Sequence, residues 1–117
     1  MSYDIELRDA ITGEVLELDR AHHMRGGTYA IGGTSAAELN ITYNYAMHYC
    51  ILGERGIREI YGKTGAESIP MLQNAINVLG DDVCDNYWEP TEGNAKRALV
   101  QLLALAQMRP DGVWAGD

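Results

Sequence analysis

The chain has 117 residues, enough for one domain (1–117) with a sizeable core and too few for two. Its 17 acidic and 9 basic residues give a net charge of −8, evenly divided between the two halves, and there is no Lys/Arg cluster to follow a phosphate backbone, so nucleic-acid binding is not expected. No apolar run approaches the roughly 18 residues of a membrane span. The acidic, alternating start MSYDIELRD is unlike a secretory or transit segment, and Cys50 and Cys84, far apart and without CxxC spacing, read as two reduced thiols of a cytoplasmic protein.

Tyr3 to Arg8 alternates apolar and polar residues with period two, Glu14 to Leu18 follows in the same style, and Asp9 to Gly13 between them is turn-like. The expectation is an antiparallel hairpin. Asp19 to Gly27 is a polar connection holding His22, His23 and Arg25. Gly-Gly-Thr then occurs twice, at Gly26-Gly27-Thr28 and Gly32-Gly33-Thr34, around a short strand-like Tyr29-Ala30-Ile31. Glycine pairs permit positive φ and close backbone approach, so both should be tight turns. Leu39 to Tyr45 is the clearest strand: its odd positions are Leu, Ile, Tyr, Tyr and its even positions Asn40, Thr42 and Asn44, giving one buried face and one polar, uncharged face. Ala46 to Leu52 should turn helical and stop at Gly53.

Beyond Gly53 the alternation gives way to helical periodicity. Ile57 to Tyr61 is a short helical piece ended by Gly62. Thr64 and Glu67 fit a capping box, yet Pro70 would then sit deep in the helix. A start at Ser68, with Pro70 in the first turn, is therefore preferred over a start at Thr64. Ile69, Leu72, Ile76 and Leu79 form one apolar face, closed by Gly80. Asp81 to Pro90 is an acidic loop held by Tyr87 and Trp88. Thr91 to Arg109 is the longest helix, apolar almost all round from Ala98 to Ala106, with Thr91 as N-cap, Glu92 at the positive end of the dipole and Pro110 as the stop. Val113-Trp114 should fold back over the core. Strands first and helices second favour an α+β domain, with an N-terminal antiparallel sheet of three to four strands packed on C-terminal helices and the last helix central.

No catalytic set emerges. Gly62-Lys63-Thr64 suggests a phosphate-binding loop, but five residues rather than four separate Gly56 from Gly62, and a helix stop followed by a cap explains both ends. His22 and His23, adjacent on an extended chain, cannot both face one ion, and neither they nor His48 have an acid or cysteine at ligand-like spacing. No metal and no cofactor are expected. A small hydrolase using His22 or His23 is the least favoured reading.

The candidate site combines Arg25 with both turns (Gly26, Gly27, Thr28, Gly32, Gly33, Thr34) and the polar strand face (Asn40, Thr42, Asn44). Exposed backbone N–H groups, a guanidinium fork and strand-borne amides could hold a small anionic or nucleotide-like ligand. Tyr29, Tyr43, Tyr45 and Tyr49 offer flat surfaces for a protein partner. The plainer reading is that the glycines only make turns and the tyrosines fill the core. A homodimer or larger homo-oligomer is a further expectation, because sheet edges need covering.

The segments HHMRGGTYAIGGT (22–34), LNITYNY (39–45), YGKTGAESIP (61–70) and GNAKRALVQLLALAQMRPDGVW (93–114) resemble a small family of bacteriophage- and prophage-encoded proteins. No activity and no site residue accompany the resemblance. It implies a phage accessory protein made in the bacterial host cytoplasm. With the acidity, small size and lack of a catalytic set, this leads to a non-enzymatic protein that blocks or sequesters a host component, such as a defence factor, by protein-protein contact.

Overall fold

The computed structural model describes residues 1–27 and 33–117. The expected strand Tyr29-Ala30-Ile31, and with it Thr28 and Gly32, lies outside them. The architecture is α+β. A main antiparallel sheet has the order β4-β1-β5, formed by β1 (Ser2–Arg8), β4 (Glu38–Thr42) and β5 (Val113–Gly116). A second sheet pairs β2 (Glu17–His22) with β3 (Thr34–Ala36). Two 3-10 helices, Tyr43–Leu52 and Gly56–Ile60, lead to the α-helices α1 (Gly65–Val78) and α2 (Glu92–Met108).

β1 is the middle strand, and its alternation has the expected consequence. Tyr3, Ile5 and Leu7 are buried against the helices, while Asp4 and Arg8 point outward. The expected hairpin forms only at its tip: Asp9 N–H donates to the Glu14 carbonyl, and Leu16 N–H donates to the Leu7 carbonyl. At that point the strands fork. Leu7 N–H donates to Ala37 and Ala37 N–H to Leu16, each at 2.9 Å, so the Glu14–Leu16 stretch wedges between β1 and the β3–β4 junction. From there β4, not β2, occupies the edge of β1. Ile5 faces Leu39 and Tyr3 faces Ile41 across the ladder. These apolar cross-strand pairs outcompete ELDRAH, which has a single leucine to bury.

The sheet is not purely N-terminal. Its third strand comes from the other end of the chain, where Val113 to Gly116 pairs with Arg8 to Ile5. Trp114 is the largest buried side chain, and its indole N–H donates to Ser68 Oγ at 2.7 Å. Each edge of the main sheet is met over part of its length by another segment of the chain. Gly27 bridges to Ile41 beside β4, and Gly62 to Thr64 hydrogen-bond along β5 through Trp114.

The expected strand Leu39–Tyr45 is shorter than its alternation suggests. It ends at Thr42, whose hydroxyl accepts from Asn44 N–H and turns the chain into the 3-10 helix Tyr43–Leu52. Helix α1 starts after Thr64, not at Ser68. Thr64 Oγ1 accepts from Glu67 N–H and Glu67 Oε1 accepts from Thr64 N–H, a complete capping box, with Pro70 inside the helix. Ser68 cannot serve as the cap because its hydroxyl is buried, donating to the Gly65 carbonyl and accepting from Trp114. Helix α2 follows its expected span and packs against α1, β4 and the first 3-10 helix. Ala95, Ala98, Leu99, Leu102, Leu105 and Ala106 make its buried stripe; Leu103 is only half-buried and Val100 is exposed, so the helix is central with one flank in solvent. Each fully buried leucine contributes about 1.5–3 kcal/mol.

The acidic loop 81–90 is organised by a residue that its own sequence does not reveal. Asn94, fully buried in the first turns of α2, accepts from Cys84 N–H and donates through Nδ2 to the carbonyls of Asn86 and Glu89. Gly93 permits this. A side chain there would meet the loop backbone, with Val83 N at 2.6 Å from a Cβ. Both cysteines are free.

Candidate functional site

The outer face of the main sheet and the segment leading out of β2 enclose a cleft of about 210 Å³. Arg25, Thr34 and Asn40, three of the residues singled out from the sequence, line it together. His22 from β2, considered from the sequence as a ligand or base, also lines it, and Asp4 and Glu6 from β1 with Glu38 from β4 complete a polar wall that the sequence did not indicate. Met24, half-buried, gives the cleft an apolar side.

The sheet register sets the electrostatics. Asp4 stands opposite Asn40, whose Nδ2 donates to Asp4 Oδ1 at 2.6 Å and to Ser2 Oγ at 2.9 Å. One step along, Glu6 stands directly opposite Glu38. Like charges facing each other across an antiparallel ladder destabilise it. Arg8 offsets this in part through a 3.0 Å ion pair with Glu6, while Glu38 takes part in no ion pair among the described residues. Among the described residues no three His, Cys, Asp or Glu side chains gather closely enough to hold a metal ion. The cleft acids are thus strung along the strands rather than converging on a point.

The first Gly-Gly turn does take the expected backbone form. Gly26 has φ +61°, and a Cβ there would collide with the Asn40 carbonyl. Its amides, however, do not form an open anion cradle. Gly26 N–H donates to Gln101 Oε1 at 2.6 Å and Gly27 N–H to the Asn40 carbonyl at 3.2 Å. Of the second turn, Gly33 is exposed and Thr34 Oγ1 accepts from Ala36 N–H.

The other expected residues scatter. Thr42 is buried as a cap, and Asn44 Nδ2 donates to the Trp88 carbonyl, tying the 3-10 helix to the acidic loop. Tyr45 and Tyr49 are core residues rather than surface anchors. Both are fully buried, with their hydroxyls donating to the carbonyls of Tyr87 and Ala95. Burial pushes the Tyr49 phenol well above its ordinary range and raises that of Tyr45. Tyr43 is half-buried, edge-on to Tyr3 at 4.5 Å, with the Arg58 guanidinium 5.8 Å from its ring. Tyr29 lies outside the described residues.

His22 is held by both ring nitrogens. Nδ1 accepts from Met24 N–H and Nε2 lies 2.9 Å from the Ala36 carbonyl. His23 is exposed, and His48 Nε2 lies 2.6 Å from the Pro90 carbonyl. The backbone at Gly62-Lys63-Thr64 is likewise committed: Gly62 N–H donates to Trp114, Lys63 N–H to Ile60, and Thr64 caps α1.

No described helix is long and apolar enough to cross a membrane. Comparison with protein-family models, with curated proteins and with solved structures returns no match.

Proposed function

We propose that this is a small, acidic, non-enzymatic binding protein that engages a basic segment of a protein partner through the cleft on the outer face of the main sheet. The observation that carries the reading is the Glu6–Glu38 pair, two carboxylates facing each other in the wall of the cleft with Asp4 beside them. A lysine or arginine placed between them relieves their repulsion, and Met24 packs against its aliphatic stem. The spacing of the acids suits a side chain or short segment better than a bare ion. The net charge of −8 adds long-range attraction for such a partner.

The resemblance of residues 22–34, 39–45, 61–70 and 93–114 to phage and prophage proteins supports a bacterial host component as the partner, such as a defence factor, with the protein acting by occupying it. The test is fluorescence anisotropy with a panel of labelled lysine- and arginine-containing peptides at low and high salt. Binding that weakens with salt, and falls at least tenfold in the Glu6→Gln/Glu38→Gln double variant, is the expected result. A panel in which nothing binds, or binding indifferent to the two substitutions, overturns the reading.

A further inference from the structure

The segment after β2 borders a second cavity, of about 190 Å³, which faces α2 instead of the sheet and is lined by Arg25, Gly26, Asp85, Tyr87, Arg97 and Gln101. Its charge is unusual for this chain. Of the 9 basic residues, Arg8, Arg55, Arg58, Lys96 and Arg109 are each within 4.0 Å of a carboxylate. Among the described residues Arg20, Arg25, Lys63 and Arg97 have no such partner, although 17 acidic side chains are present in the chain. Two of these four, Arg25 and Arg97, line this one cavity.

Their arrangement is set by the scaffold. Arg97 and Gln101 are one turn apart on the same face of α2. Gln101 Oε1 accepts the Gly26 N–H at 2.6 Å, which ties the backbone next to Arg25 to the helix that carries Arg97. The Tyr87 carbonyl is held by the buried Tyr45 hydroxyl, and the Tyr87 ring lies 4.6 Å from that of Trp88. Two guanidinium groups without carboxylate partners, beside an anchored aromatic ring, match an oxyanion joined to a flat or apolar group.

We propose that this cavity binds a small organic phosphate, the phosphoryl oxygens bridging Arg25 and Arg97 and the organic part resting on Tyr87. The site is independent of the acidic cleft, apart from sharing Arg25, and its ligand has the opposite charge. Asp85 is the one carboxylate in its lining, and it opposes the bound anion.

The test is titration of the folded protein with inorganic phosphate, a nucleoside monophosphate and the matching unphosphorylated nucleoside, followed by two-dimensional NMR of the backbone amides. The expected result is saturable shifts at Gly26, Arg97 and Gln101 with the monophosphate, tighter than with inorganic phosphate and absent with the nucleoside. Arg97→Ala, on an exposed helix position, should weaken binding at least tenfold, while Asp85→Asn should strengthen it, which a purely structural role would not produce. The Glu6→Gln/Glu38→Gln variant should bind the monophosphate at least as tightly as the parent does, so failure of the cleft reading is distinguishable from failure here. Absence of shifts with either phosphate, or equal binding by Arg97→Ala, overturns the proposal; so does binding of the bare nucleoside as tight as that of its monophosphate.

Discussion

Glu38 and Asn94 illustrate two opposite uses of a polar side chain. Glu38 is exposed and stands against Glu6 across the ladder, so neutralising it removes a repulsion. Glu38→Gln should stabilise the fold by about 0.2–1 kcal/mol while weakening attachment of a basic peptide. Thermal unfolding and anisotropy on the same sample check both signs; a destabilised Glu38→Gln would mean that the pair is not under tension. Asn94 is buried and satisfies three backbone groups of the 81–90 loop. Asn94→Ala leaves those groups without partners and should cost about 1–3 kcal/mol or more, with urea unfolding as the readout. Hydrogen exchange in that variant should rise first at Cys84, whose amide loses its acceptor. Alternation places Glu6 on the polar side of β1, but its partner across the strand is fixed only by the register with β4.

At the scale of the element, local chemistry decided most of the ends. The capping box at Thr64 won over the objection from Pro70, because the reciprocal Thr64–Glu67 bonds satisfy two helix-end donors at once. Thr64→Ala should therefore cost about 1 kcal/mol, seen as a lower melting temperature. The same box gives an acid dependence. Hydrogen bonds from Thr64, its backbone N–H first, hold the Glu67 carboxyl below its ordinary value of 4.5. The folded form thus holds the charged state more strongly than the unfolded one does. The resulting stability is complete above that ordinary value and is lost as pH falls through the lower folded value. In Glu67→Gln the fall in melting temperature below pH 4.5 should be shallower than in the parent. Equal slopes would show that other carboxylates, such as Asp9 on its turn amides or Asp111 beside Arg109, carry the acid sensitivity. The strand expected over Leu39–Tyr45 ends at Thr42 because its last residues carry two periodicities at once. Tyr45 and Tyr49 are four residues apart and equally buried, a helical spacing, whereas Leu39 to Tyr45 also satisfies period two.

For the molecule as a whole, the ends of the chain are joined in one sheet. β1 is flanked by a strand from the middle of the sequence and a strand from its far end, and Trp114 links that last strand to α1 through Ser68. One contiguous core results, running from Tyr3 to Trp114. Trp114→Ala should cost about 3–5 kcal/mol and lower the cooperative transition as a unit, with no separate melting of β5. Coincident unfolding curves from circular dichroism and from the exposed Trp88 would bear this out, and an early transition confined to β5 would refute it. The outer face of β1 and β4 and the rim near Arg25 carry the cavities with specialised chemistry.

The amino-acid order by itself determined the fold class, the span of α2, the turn at Asp9–Gly13 and the stops at Gly53 and Gly62, because periodicity, caps and glycines act over a few neighbouring residues. It also marked Arg25, Thr34 and Asn40 as residues of interest. Only the tertiary structure decided that β2 leaves β1 for β3, that β5 completes the main sheet, that Tyr45 and Tyr49 serve the core, and that Asp4, Glu6 and Glu38 share a wall with Arg25. Those outcomes depend on which distant segments compete for the same edge and on the register they adopt. Such contests are settled by burial of whole faces, a quantity no short window of sequence contains.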